Sequence, residues 1–379
     1  MSDAIIPFLI RIPDEDLADL NRRLRQTRWP DAETVTDWSQ GTPLAYLQDL
    51  CGYWADGYDW RACEASLNRI PQFHTEIDGL SIHFLHARSR HEDALPLVLT
   101  HGWPGSVAEF LKVIEPLTDP VAHGGDAADA FHVVCPSLPG YAFSGRPARP
   151  GWGLERTADA WDQLMTRLGY ARYGAQGGDW GAQVATGLGM RHPEHLAGIH
   201  LTMPIVLPDP DTMNDLTEQE QAALAAMKYY GDWDSGYSKE QSTRPQTVGY
   251  GLVDSPAGLC GWILEKFWAW TDCDGDPVNA LTRDEMLDNV MIYWLTAAGA
   301  SSARMYWESF RRPVLGPVEV PVGCSIFPKE IFLCSRRWAA KRFSDLRYWN
   351  EPARGGHFAA LEQPESFVRE VRAAFRSFR

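Results

Sequence analysis

The sequence predicts an α/β fold: a mostly parallel sheet flanked by helices, with one helical segment inserted into it and another in front of it. Three observations carry this. Short apolar runs, Leu95 to Thr100, Phe131 to Pro136 and Ala197 to Thr202, read as buried strands and alternate with helical stretches, which demands parallel pairing through right-handed crossovers. A small–x–acid–x–small pentapeptide, Gly177-Gly178-Asp179-Trp180-Gly181, stands where an apolar approach, Leu168 to Gln176, gives way to a helical run, Ala182 to Met190. From Pro208 to about Gly299 strand character disappears, and core-like sequence resumes only with the strand run Val318 to Phe327.

Residues 1–70 lack strand alternation and are expected to form a helical N-terminal extension. Pro13 and Asp14 open an amphipathic helix in which Leu17, Leu20 and Leu24 repeat at helical spacing, ending near Trp29-Pro30. A second helix spans Pro43 to Tyr53, and a third follows Asp59. The period then switches. Gln72 to Ile77 and Leu80 to Ala87 alternate around Asp78-Gly79, the strongest short hairpin signal. Residues 71–207 form the first part of the core and 208–305 a helical cap rich in Tyr and Trp. The second part of the core, 306–379, ends in a helix from Pro364 to Phe378.

The chain has 379 residues, enough for a large core plus an inserted unit. A net charge of −15 argues against nucleic acid and anionic membranes as partners. It leaves monomer and homodimer equally open. Seven scattered cysteines without a Cys-x-x-Cys pair suit a reducing compartment, so a cytoplasmic location is expected. No signal peptide precedes the first helix, and no apolar run approaches the roughly 18 residues a bilayer span requires. The nearest metal-like pattern, His192-Pro193-Glu194-His195, lacks the spacing of a recognised site, so neither metal nor cofactor is expected.

The pentapeptide matches the nucleophile elbow of α/β-hydrolases, with Asp in place of Ser. A carboxylate attacks an sp³ carbon and leaves an alkyl ester on the enzyme, so Asp179 points to an epoxide or a carbon–halogen bond. Its place at a helix N-terminus favours the anion. In this fold the order is nucleophile, acid, histidine. His357, in Arg354-Gly355-Gly356-His357-Phe358, turns just before the last helix and has no rival downstream. Glu330 follows the strand run and fits the acid, with Asp345 as its rival. His101-Gly102-Trp103-Pro104-Gly105 follows a strand, so the amides of Trp103 and Trp180 are the expected oxyanion hole, with His101 bracing the turn. Opening an epoxide also needs an acidic donor opposite Asp179. The cap offers many tyrosines, and composition does not choose among them.

Taken together, the segments 101–106, 177–181, Ser235-Gly236-Tyr237, 263–267, Ser301 to Tyr306, 327–330 and 354–358 resemble the microsomal-type epoxide hydrolases, including juvenile-hormone epoxide hydrolases and bacterial relatives. The likeness covers nearly the whole chain, but the membrane anchor of the animal enzymes is missing from it. It implies Tyr237 and Tyr306 as the ring-opening donors and Glu330 as the acid. It also implies a two-step route to a vicinal diol, needing only an apolar epoxide and water. A haloalkane dehalogenase would share the Asp nucleophile, but tends to carry Asn where Trp103 stands and lacks the paired tyrosines. A non-catalytic binder of apolar ligands would have no need of His357 and Glu330. Trp103, Trp152, Trp180 and the cap aromatics suggest a bulky aryl or terpenoid substrate, with Trp103 and Trp180 in contact with it.

Overall fold

The structure, a computed structural model, describes residues 3–310 and 314–379. Its strands are β1 (Ile6–Phe8), β2 (Gln72–Ile77), β3 (Leu80–Ala87), β4 (Leu95–Thr100), β5 (Phe131–Pro136), β6 (Tyr173–Gly177), β7 (Leu196–Leu201), β8 (Val322–Ser325) and β9 (Leu346–Asn350). Among the described residues they form one nine-stranded sheet in the order β1-β2-β3-β5-β4-β6-β7-β8-β9. The ladder is antiparallel from β1 to β5 and parallel from β5 onward. The β2–β3 hairpin closes as expected, Ile77 opposite Leu80, with Asp78 and Gly79 both at positive φ (51° and 77°). Two positive φ values give the turn the twist that the flanking strands require.

Three expectations need correction. The extension is not purely helical, since β1 pairs with β2 at the edge of the sheet. The run from Val318 to Phe327 shrinks to β8, with Val318 making only an isolated bridge to Phe343. And β9 was not foreseen, because Leu-Arg-Tyr-Trp-Asn is half-covered except at the exposed Arg347 and lacks the clean alternation of a one-sided strand.

The helices are α1 (Asp14–Arg25), α2 (Leu44–Asp56), α3 (Trp60–Asn68), α4 (Leu111–Thr118), α5 (Leu154–Arg167), α6 (Asp179–Arg191), α7 (Glu218–Tyr229), α8 (Gly236–Thr243), α9 (Pro245–Asp254), α10 (Pro256–Trp270), α11 (Arg283–Leu295), α12 (Gly299–Ser309), α13 (Arg336–Arg342), α14 (Ala359–Glu362) and α15 (Pro364–Arg376). On β4, Val98 joins the core on one face while Leu97 and Leu99 join the core beneath α4 and α15 on the other, the period-two alternation of a strand covered on both sides. The cap runs through α7 to α12. Helix α12 continues past residue 305 to Ser309, so the expected boundary at 305/306 falls inside a helix.

The extension grips the cap from outside. Trp38 stacks on Trp268 with centroids 5.1 Å apart and planes 4° from parallel. The phenols of Tyr46, Tyr53 and Tyr58 donate to Asp276, Asp284 and Asp288 at 2.9, 2.6 and 2.7 Å. Arg23 pairs with Asp254, and Arg283 of the cap with Asp49. Among the described residues no helix is long and apolar enough to cross a membrane.

Candidate active site

The strand β6 ends at Gly177 and α6 begins at Asp179, leaving no room for a relaxed turn. Asp179 takes φ 49°, a left-handed conformation that a non-glycine residue holds only when its surroundings enforce it. They do: a Cβ on Gly177 would lie 2.1 Å from Gly181 backbone atoms, and one on Gly181 would lie 1.9 Å from the Thr100 carbonyl. This close packing lifts the Asp179 carboxylate clear of the sheet.

Asp179 is 8% exposed. The Trp103 N–H donates to its Oδ1 at 2.8 Å, and the Trp180 N–H bonds the same carboxylate. Both expected oxyanion donors are therefore aimed at one group. His101 braces the turn: its Nδ1 bonds the Gly102 carbonyl at 2.9 Å and its Nε2 accepts from the Leu138 N–H at 3.2 Å. Burial lowers the His101 ring to about 4, so it stays neutral in that role.

His357 lies with Nε2 3.6 Å from Asp179 Oδ2, while its Nδ1 donates to Glu330 Oε1 at 2.6 Å. The acid that the sheet brings to the histidine is thus Glu330. Asp345 sits away from it, bonded to Arg347. Burial works against a charge on His357, but the Glu330 carboxylate, with help from Asp179, outweighs it and raises the imidazole to about 9. For Asp179 itself, burial raises the carboxyl, opposed by His357 and the two amides. The helix N-terminus is expected to favour the anion, and the imidazolium and the two amides act in the same direction, but burial outweighs them and the carboxyl lies above its ordinary value.

Across from Asp179 stands the cap. Tyr237, on α8, and Tyr306, on α12, are 6% and 2% exposed, with ring centroids 5.8 Å apart. Burial, followed by neighbouring groups that include Asp179, pushes both phenols well above 10, so they remain proton donors. Between the two walls lies a cavity of about 200 Å³, lined mainly by apolar side chains such as Leu154, Met203, Ile205 and Phe310, with Asp179, Tyr237 and Tyr306 on its surface.

Trp180 lines that cavity, packed edge-on to Tyr306 at 4.7 Å. Trp103 does not. Its indole is 2% exposed and lies stacked on Tyr237, 4.7 Å away with planes 9° apart, so its expected substrate contact is corrected to a supporting one. Trp152 lines a separate surface groove with Arg149 and Arg304. Two participants were missed by sequence reasoning. Tyr230 lines the cavity and hydrogen-bonds the Tyr237 hydroxyl at 3.2 Å. Lys266, 2% exposed, holds its Nζ 4.5 Å over the Tyr237 ring while bonded to Asp234 at 2.9 Å. Nothing in the sequence separates Tyr230 from its neighbour Tyr229, which is 59% exposed. Beside the sheet's far end, His192 and His195 share Asp162 through Nδ1 contacts of 3.5 and 2.7 Å, a hydrogen-bonded cluster remote from this site.

Comparison with known proteins identifies the family and the fold. A family profile described as "Epoxide hydrolase N terminus" matches residues 5–110, and one described as "alpha/beta hydrolase fold" matches residues 96–244. A relative from Stigmatella aurantiaca is 58% identical over 99% of this chain and 86% of its own length. Epoxide hydrolase 1 of Sus scrofa is 36% identical over 98% of this chain and 88% of its own. Among solved structures, Aspergillus niger epoxide hydrolase superposes with a TM-score of 0.90 at 34% identity, covering 99% of this chain and 97% of that one. Juvenile hormone epoxide hydrolase from the silkworm Bombyx mori gives 0.90 at 32% identity, covering 99% and 95%.

Proposed function

This chain belongs to the microsomal-type epoxide hydrolase family, and from that premise we propose how its own residues turn an epoxide and water into a vicinal diol. Asp179 Oδ1 is committed to the Trp103 amide, which leaves Oδ2, on the His357 side, as the attacking atom. It bonds to an epoxide carbon, the C–O bond breaks, and the electron pair moves to the epoxide oxygen. The phenols of Tyr237 and Tyr306 hydrogen-bond that oxygen from the cap, and Lys266 over the Tyr237 ring favours the charge that builds there.

The second step follows from the electrostatics. Esterification removes the Asp179 charge, one of the anions that hold His357 at about 9. The imidazole is then released to act as a base on water, steadied by Glu330. The proton that His357 gives up passes through the tyrosines to the opened epoxide oxygen. His357 then takes a proton from water as the water oxygen joins the Asp179 carboxyl carbon. The oxyanion rests on the Trp103 and Trp180 amides, and the ester C–O bond breaks. The water's second proton passes to the leaving oxygen, which releases the diol and the Asp179 carboxylate. The single observation that carries this reading is the divided Asp179 carboxylate, Oδ1 on the Trp103 amide and Oδ2 beside His357.

The cavity of about 200 Å³ is small beside the roughly 300–1,000 Å³ of drug-sized sites. A compact apolar epoxide, aryl or small terpenoid, suits it better than an extended one. The test is single-turnover hydrolysis of styrene oxide in ¹⁸O-water. Label is expected in the Asp179 carboxylate; unlabelled Asp179 with labelled diol would mean direct attack by water.

A further inference from the structure

At the far end of the helix that begins with the nucleophile, two histidines converge on one carboxylate. Helix α6 runs from Asp179 to Arg191, so its ends lie about 18 Å apart at a rise of 1.5 Å per residue. The chain then makes a 3₁₀ turn, Pro193–His195, opened by His192. In such a turn the side chains at i and i+3 eclipse. His192 and His195 do so: their rings lie 3° from parallel with centroids 6.4 Å apart. Facing them, α5 presents Asp159 and Asp162, also three residues apart. The sequence pattern shows only the histidines, because Asp162 stands on another helix and only the fold brings it in. One donor atom from each of Asp162, His192 and His195 lies within 4.8 Å of the others.

The spacing suits a small cation. His195 Nδ1 lies 2.7 Å from Asp162 Oδ1, and His192 Nδ1 lies 3.5 Å from Oδ2. Tetrahedral zinc, bound at roughly 2.0–2.2 Å, sets its ligand atoms about 3.3 Å apart. The His192 gap already has nearly that width, and the His195 contact needs to open by only about 0.6 Å. His192 donates its Nε2–H to Asp159 Oδ1 at 2.8 Å, and Asp159 is held by Arg191 through two bonds of 2.7 Å. Neutral His192 therefore turns its Nδ1 lone pair toward Asp162 Oδ2, acceptor against acceptor, an opposition that a cation between them relieves. The buried Tyr173 hydroxyl donates to Asp162 Oδ1 at 2.8 Å and anchors it from behind. The Asp162, His192 and His195 side chains are 11%, 23% and 35% exposed, so an ion can enter and water can complete its coordination. Glu194 adds negative charge beside His195, while Arg191 is already committed to Asp159.

We propose that Asp162, His192 and His195 form a binding site for a divalent transition-metal ion of the zinc class, with water as the remaining ligand and Asp159 orienting His192. Two imidazoles favour zinc, copper or nickel over magnesium and calcium, which take oxygen ligands. The proton that His195 shares with Asp162 leaves to solvent as the ion enters. The bound ion fastens α5 to the turn that leads from α6 into β7. It takes no part in the chemistry at the other end of α6.

The test is a calorimetric titration of the full chain, free of any histidine tag and stripped with a chelator, with Zn²⁺ and in parallel with Mg²⁺. One Zn²⁺ per chain is expected to bind and to raise Tm by a few °C at saturation, with no response to Mg²⁺. The seven cysteines are buried, so their thiols do not compete for the ion. His195→Ala is expected to weaken binding by at least roughly 100-fold while leaving epoxide hydrolysis unchanged. Asp159→Asn, which removes no ligand, is expected to weaken it by about 10-fold. Absence of saturable Zn²⁺ binding overturns the proposal. Undiminished binding in His195→Ala overturns it too, since the ion would then lie elsewhere, and so does equal affinity for Mg²⁺, the mark of a bare acidic patch. Should His195→Ala fail to fold, Asp162→Asn, which can still accept from Tyr173, carries the same expectation.

Discussion

The two walls of the cavity are built in opposite ways. The core wall is charged and held by backbone: Asp179 on a positive-φ turn between close-packed glycines, its carboxylate on two amides, His357 locked to Glu330. The cap wall presents neutral phenols held by side chains: Tyr237 sandwiched between the Trp103 indole and the Lys266 ammonium, Tyr306 packed against Trp180. The reaction first needs a nucleophile whose charge is fixed before substrate arrives. It then needs donors that stay protonated until charge develops on the epoxide oxygen. Strain and amides provide the first, and desolvated phenols the second.

That contrast ranks the expected effects. Core-wall changes should stop the cycle outright: Asp179→Ala is expected to lose turnover by at least roughly 10³-fold. His357→Gln should lose it comparably while still accumulating ester, seen as a mass increase on the Asp179 peptide. An Asp179→Ala enzyme with normal rates would erase the distinction between the walls. Cap-wall changes should slow without stopping. Tyr237→Phe and Tyr306→Phe are each expected to retard ester formation by about 10²-fold, and Tyr230→Phe by less, since it reaches the substrate through Tyr237. Rapid-mixing rates test this; equal losses for all three would mean Tyr230 donates directly.

The smallest effect is on stability. The His357 pKa is raised on folding, from an ordinary value near 6.5 to about 9. Its contribution is therefore complete below about pH 6.5 and is lost as pH rises through about 9. Glu330→Gln should accordingly lower Tm more at pH 6 than at pH 10, a difference on the order of a few °C. A pH-independent deficit would show that Glu330 acts only as a hydrogen-bond acceptor.

The same contrast explains what was legible in the sequence. The core wall is encoded locally. Gly177 and Gly181 announce the turn, Gly355 and Gly356 announce the loop before His357, and the chain order narrows the acid to Glu330 or its rival Asp345, between which family resemblance chooses Glu330. The hairpin and β4 likewise declare themselves by alternation or unbroken apolarity. The cap wall depends on how helices pack. Choosing Tyr237 and Tyr306 among the cap tyrosines took family resemblance, and neither Tyr230 nor Lys266 has any local mark. Trp103 was misread because a tryptophan beside the nucleophile looks like lining until its stacking partner is seen. At the sheet's edges, β1 is only three residues with a central proline, and β9 is half-covered, so neither displays a burial pattern.

The grip of the N-terminal extension bears on how molecules come and go. A segment inserted between two points of a chain can swing like a door on its hinges. Here Trp38, Tyr46, Tyr53 and Tyr58 add a third line of attachment on the far side, and a door fastened along both edges is a wall. Admission is then expected to depend on the width of a standing opening, so that epoxides would be sorted as by a sieve, by cross-section, before chemistry begins.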